Sequence, residues 1–165
     1  MKIHRAIKQG QLDIVEQLIG DNPSALHICT PFGTWLQDAA SCGQISILRW
    51  LVNKGLDVNF FNDSNEYPPL CKACAKGHFE VVKTLIDLGA AMDVSDSIRN
   101  PLFTTIVGTF DYTPSHTAIA RFLVGCGIDI KVRYSNLGNM DALEFAREWG
   151  RKDIADFLET QLRAC

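Results

Sequence analysis

Residues 39–59 read AASCGQISILRWLVNKGLDVN and residues 73–93 read ACAKGHFEVVKTLIDLGAAMD, one pattern displaced by 34 positions. An earlier copy, AIKQGQLDIVEQLI at residues 6–19, stands 33 positions before the first of these. A unit this short cannot bury its own apolar face, so it must stack on copies of itself. Inside each copy, apolar residues fall at i, i+1, i+4 and i+5. They are Ile14, Val15, Leu18 and Ile19, then Ile47, Leu48, Leu51 and Val52, then Val81, Val82, Leu85 and Ile86. That spacing is one stripe of an amphipathic helix. Weaker copies at Ile119, Leu123 and Val124, and at Ile154, Ala155, Phe157 and Leu158, bring the count to five.

Punctuation agrees with the period. Gly55, Gly89 and Gly127 close the striped helices, where a left-handed backbone suits a residue without a Cβ. Gly10, Gly43, Gly77 and Gly150 precede the stripe and close a shorter first helix, built around Ala39 and Ala40, Ala73 and Cys74, or Ala146. The starts of these first helices carry capping chemistry: Thr34 before Trp35, Asn100 before Pro101, and Asp141 three residues ahead of Glu144. The unit therefore reads as helix, tight turn, helix and long connection. Helices so short depend on stacking for their stability.

With these residues in view, the chain resembles an ankyrin-repeat protein. That family's pattern runs through a Thr-Pro-Leu-His-x-Ala-Ala start, a Gly-His turn, a Val-Val-x-Leu-Leu helix and a Gly-Ala-Asp-Val-Asn end. The match is most literal at residues 68–90, PPLCKACAKGHFEVVKTLIDLGA, and at Gly55, Asp57, Val58 and Asn59. His4 stands at the histidine of the family's helix start, and Leu143, Ala146 and Gly150 match a C-terminal capping repeat. The resemblance implies an all-α solenoid of stacked helix-turn-helix units with projecting hairpin-like fingers. It divides a single domain, 1–165, into repeats near 1–27, 28–60, 61–94, 95–133 and 134–165. Trp35, Gln37 and Cys71 depart from the family's proline and histidines. The largest departure is in the fourth repeat, where Pro101 to Gly127 is 26 residues against 20 from Pro69 to Gly89. The surplus is assigned to Val107–His116, VGTFDYTPSH.

Composition narrows the function. A chain of 165 residues with 47% hydrophobic and 21% charged residues belongs to one compact, soluble unit. A net charge of −3 lacks the basic field that DNA or RNA binding requires. The opening MKIHRAIKQGQLDIV has no uninterrupted apolar core, so it reads neither as a signal peptide nor as a membrane span, and a cytoplasmic location is the expectation. The six cysteines read as reduced thiols in a chain too rich in core residues to need a disulfide scaffold.

No nucleophile–base–orienter set is recognisable, so the chain reads as non-enzymatic, with no cofactor or metal. Cys71 and Cys74 form a C-x-x-C, which leaves a thiol redox or metal-binding protein as an alternative. Their placement on a first helix favours packing instead. His4 and His78 sit at family helix starts, whereas His27 and His116 are placed in connections.

The resemblance implies recognition by finger tips and first helices. By register, Phe61, Asp63, Glu66, Arg99, Arg133 and Tyr134 belong at or near tips, and Lys76 and Ser41 face inward from first helices. Phe60 and Trp35 have a packing role between repeats as their alternative. Phe110 and Tyr112 are offered by the insertion, either as contact residues or folded over the gap it leaves. The resulting expectation is a monomer that forms a heterodimer with another protein. That partner is a toxin or enzyme held by a stoichiometric inhibitor of immunity or antitoxin type, with an adaptor bridging two proteins as the other binding role.

Overall fold

The computed structural model describes residues 2–30, 33–61, 67–108 and 112–164. Among them stand ten α-helices, two short 3-10 turns and no strand. None of these helices is long and apolar enough to cross a membrane. The first helix of each pair is seven residues long: α1 Lys2–Lys8, α3 Trp35–Ser41, α5 Pro69–Ala75, α7 Pro101–Val107 and α9 Ala142–Glu148. Their partners α2 Leu12–Gly20, α4 Ile45–Asn53 and α6 Phe79–Asp87 run nine residues, α8 Pro114–Gly125 twelve and α10 Lys152–Ala164 thirteen. The helices group into two compact units, Met1–Ala73 with Glu80–Ala91, and Cys74–Phe79 with Met92–Cys165.

In the first unit the striped positions Val15, Ile19, Ile47, Leu48, Leu51, Val81, Val82 and Leu85 are all buried, while Ile14 lies at the margin and is exposed. Trp35 is buried and its indole Nε1 donates to the Ala25 carbonyl at 2.7 Å, tying the 3-10 turn Pro23–His27 to α3. Gln37, which stands where the family has histidine, completes a capping box. Its amide N–H donates to Thr34 Oγ1, its side-chain oxygen accepts from the Thr34 N–H at 2.6 Å, and its Nε2 donates to the Tyr67 carbonyl at 2.8 Å. Such a cap contributes about 1 kcal/mol. Asn59 braces the unit differently: Nδ2 donates to the Gly89 carbonyl and Oδ1 accepts from the Ala91 N–H.

In the second unit Ile119, Leu123, Ile154, Ala155 and Leu158 are buried, as the weaker stripes predict. Asn100 caps α7 by accepting from the N–H groups of Leu102 and Phe103, with Pro101 in the first turn where its missing N–H costs nothing. Phe103 packs edge-on against Tyr134 and stacks on Phe145, both at 4.9 Å between centroids. Helix α8 begins at Pro114, so His116, expected in a connection, lies inside a helix and is completely buried.

Candidate functional site

Once a repeat protein is folded, the side chains that its own packing does not consume are those available to a partner. Residues at the ends of first helices and in the connections have the fewest neighbours of their own chain. The candidates divide sharply on that criterion.

Arg133 is consumed by its own repeat. Its guanidinium donates to Glu144 Oε2 at 2.8 Å, Asp141 Oδ2 at 2.8 Å and the Asn139 carbonyl at 2.6 Å, tying the turn before α9 onto the capping box of that helix. The bond with Glu144 holds the guanidinium above, and the Glu144 carboxyl below, their ordinary values. Tyr134 departs from the expected finger-tip position: only 7% of it is accessible. Its hydroxyl accepts from Asn100 Nδ2 at 2.9 Å and donates to the Val94 carbonyl at 2.7 Å, so it works as a rivet between two connections. Burial pushes its phenol up, against the Asn100 hydrogen bond. The reason lies in Phe103, whose ring offers Tyr134 an apolar wall that a tip would lack.

Arg99 is likewise engaged. Its Nε donates to Asp96 Oδ2, Asp93 lies 3.6 Å from its guanidinium, and Asp96 Oδ1 accepts the N–H groups of Ile98 and Arg99. Tyr112 folds inward, half-buried. One face stacks on His116 at 4.8 Å and the other carries the Arg151 guanidinium at 3.9 Å, while Arg151 donates to the carbonyls of Ile106 and Val107. Of the two placements expected for Tyr112, it takes the one folded over the gap. Phe61 is half-buried, Ser41 is half-buried and Lys76 is exposed. Asp63, Glu66 and Phe110 lie outside the described residues.

The side chains left over are others. Trp149 stands 46% exposed directly before Gly150, and Phe60 41% exposed within the connection that leaves α4. Phe60 borders a cavity of about 280 Å³ lined also by His27, Cys29, Thr34, Leu56 and Asp57. Sequence reasoning missed Trp149, although the signal was present. It occupies the position before a turn glycine that Gln9, Cys42 and Lys76 occupy in other repeats, and Lys76 had been placed by that same register.

The thiol pair behaves as core. Cys71 and Cys74 are both buried, and burial pushes the Cys74 thiol up to about 12, only partly offset by a hydrogen bond with Thr105. A thiol with that pKa stays protonated at neutral pH, which opposes nucleophilic or metal chemistry at Cys74. Among the described residues no group of three or more His, Cys, Asp or Glu side chains converges as a metal site.

Comparison with known proteins supplies the frame. A family model described as ankyrin repeats, in three copies, matches residues 3–96. A putative ankyrin repeat protein of Rickettsia felis is 28% identical over 81% of this chain and 62% of its own length. The ankyrin repeat and SAM domain-containing protein 6 of Rattus norvegicus is 30% identical over 59% of this chain and 11% of its own. Protein phosphatase 1 regulatory subunit 27 of Mus musculus is 31% identical over 54% of this chain and 58% of its own. The chain thus spans less than two thirds of each of these relatives.

Proposed function

This chain belongs to the ankyrin-repeat family, and on that premise we propose that it is a stoichiometric inhibitor of immunity or antitoxin type, binding and neutralising a partner toxin or enzyme. The ankyrin-repeat domain is a protein–protein interaction module. The inhibitory reading takes support from a relative whose name makes it a regulatory subunit of an enzyme, protein phosphatase 1. It acts in the cytoplasm, alone as a monomer and as a heterodimer with its target.

One observation carries the placement of the site: Trp149 keeps nearly half of its surface in solvent, while Trp35, Phe103 and Phe145 are buried. Tryptophan is the residue type most enriched among side chains that dominate binding energy. Lys76 joins Trp149 as a proposed contact residue in the second unit and Phe61 is proposed in the first, with Asp63 and Glu66 added by register and Phe110 by its place in the insertion. Arg99, Arg133 and Tyr134 brace the connections of the second unit.

A second reading, an adaptor joining two proteins, is favoured by a separate fact: each unit exposes its own aromatic side chain, Phe60 in one and Trp149 in the other. One experiment separates the two. The partner is captured from the native source and its activity titrated with the purified chain. Inhibition complete at one equivalent supports the inhibitor, and undiminished activity at saturation rejects it. Replacing Trp149 by Ala should raise Kd by about thirtyfold, the equivalent of about 2 kcal/mol, with the helical circular dichroism unchanged. Wild-type affinity in that variant would remove Trp149 from the site.

A further inference from the structure

Helix α1 carries three cations and no acid, and they share one face. Lys2, Arg5 and Lys8 follow one another at three-residue steps and are exposed, whereas Ile7, on the opposite side of the helix, is completely buried. By register Lys72, half-buried in the same compact unit, continues this row, since it stands five residues before Gly77 as Arg5 stands five before Gly10. The matching position on α3 is Asp38, the one acid in that row. It is buried, only 7% accessible, and both its oxygens are engaged within the fold: it binds His4 Nδ1 of α1 at 2.7 Å and accepts from the Cys42 thiol.

The four cations make no side-chain ion pair among the described residues. Lys83, Arg99, Arg133, Arg147 and Arg163 each have a carboxylate within 4 Å. An uncompensated basic face on a chain of net charge −3 is a local feature that the average conceals.

We propose that the exposed face of α1, continued by Lys72, docks an acidic peptide segment of the partner protein. The proposal rests on the protein-binding reading above and names the chemistry of the segment bound. Four cations on a net-acidic chain are too few for the extended basic field that nucleic acid requires. A lipid surface is disfavoured because none of the exposed large apolar residues, Ile14, Ile28, Phe60, Ile98 and Trp149, lies on α1 or α5. A run of Asp and Glu fits both the sign and the small number of charges, and it would gain mainly in encounter rate and orientation.

The test uses the full chain and a fluorescein-labelled peptide of about fifteen residues rich in Glu and Asp, read by anisotropy beside its Gln/Asn counterpart. Binding of the acidic peptide alone is the expected result, with Kd rising about tenfold or more between about 50 and about 300 mM salt. The quadruple variant K2E/R5E/K8E/K72E should lose at least about tenfold in affinity, K2Q/R5Q/K8Q/K72Q should fall between, and K131E/K152E should bind like wild type. Unchanged helical circular dichroism is required of all three, and any variant that loses it is replaced by its single substitutions. Equal binding of the two peptides, retention of affinity by the charge-reversed chain, or tighter binding to phosphatidylserine vesicles or single-stranded DNA would each overturn the proposal. If the captured native partner binds the charge-reversed chain as tightly as wild type, this proposal fails and the protein-binding reading stands. If wild type captures no partner yet binds the peptide as described, it is the wider reading that fails.

Discussion

Two turns that do the same work in the two units are covered by different side chains. In the first unit the turn at Gly10, φ +70°, lies under the side chain of Gln44, which stands just before α4. In the second, the turn at Gly77, φ +72°, lies under the imidazole of His116, inside α8. The covering residue comes 34 positions later in one case and 39 in the other, so the insertion has shifted which residue arrives while the place to be filled has stayed. What is retained between repeats is a volume and a set of hydrogen bonds. Gln44 brings a flexible amide, and His116 brings a rigid ring fixed at both nitrogens. Nδ1 accepts the Thr113 N–H at 3.1 Å, which leaves the proton on Nε2 to be donated to the Ala75 carbonyl at 3.3 Å.

The largest expected effect comes from adding one carbon to each turn. A Cβ on Gly77 would lie 2.7 Å from His116 Cε1, and a Cβ on Gly10 would lie 2.8 Å from Gln44 Oε1. Both substitutions force a side chain into left-handed backbone, at about 1–2 kcal/mol. The end of Gln44 can swing aside, but the buried, stacked ring cannot, so Gly77→Ala should cost about 2–4 kcal/mol and Gly10→Ala about 1–2. Urea unfolding midpoints of the two variants measure this. Equal losses would mean that His116 yields as easily as Gln44 and that the two covers are interchangeable.

Removing the covers is the converse test. His116→Ala leaves the Thr113 N–H and the Ala75 carbonyl without their partner and takes a support from Tyr112, for a loss of about 2 kcal/mol. Gln44→Ala, at a half-buried position, should cost less than about 1 kcal/mol. A similar loss in both would show that the amide of Gln44 is held as firmly as the ring.

These contrasts mark what a single sequence could reveal. The repeat, the turn glycines and the caps at Thr34, Asn100 and Asp141 are local features: each depends on residues within a few positions, and all were readable. The position of His116 was not, although Thr113-Pro114 is a fair helix start. An imidazole three residues after the cap is an unusual partner where Glu or Gln is the rule, and its second bond reaches a carbonyl 41 residues away. The same limit explains Tyr134, whose hydroxyl is taken up by the Val94 carbonyl 40 residues away. Arg99 and Arg133 are different: as residue types they suit an interface, but their acidic partners stand within eleven residues in sequence and were within reach of a local reading. Trp149 shows the opposite error, a position that the repeat register reaches and that was passed over.

The smallest expected effect concerns the connections that lead into α3 and α7, one closed by uncharged groups and the other by charge. Before α3, Thr30 and Gly33 exchange backbone hydrogen bonds of 2.9 Å, and Thr30 Oγ1 donates to the Gly33 carbonyl. Before α7, Asp96 does the corresponding work. Burial pulls its carboxyl up, but the hydrogen bonds from the Arg99 N–H and guanidinium, the Arg99 charge and the Ile98 N–H outweigh it and hold it below the ordinary value of 3.8. A carboxyl held low in the native state binds fewer protons there than in the unfolded chain. Its contribution is therefore fully present above about pH 4 and is lost as the pH falls through the native value. Because the Asp96 side chain is 39% accessible and so screened by solvent, that contribution should stay below about 1 kcal/mol. Asp96→Asn should thus lower stability slightly at pH 5 and above, and the gap to wild type should close by about pH 2–3. Thr30→Ala should show a gap of the same size at every pH, because nothing it removes titrates. Urea unfolding of both variants across this range decides the matter. An Asp96→Asn gap that does not change with pH would mean that Asp96 closes its turn as a neutral acceptor would, and that the two connections differ in composition without differing in kind.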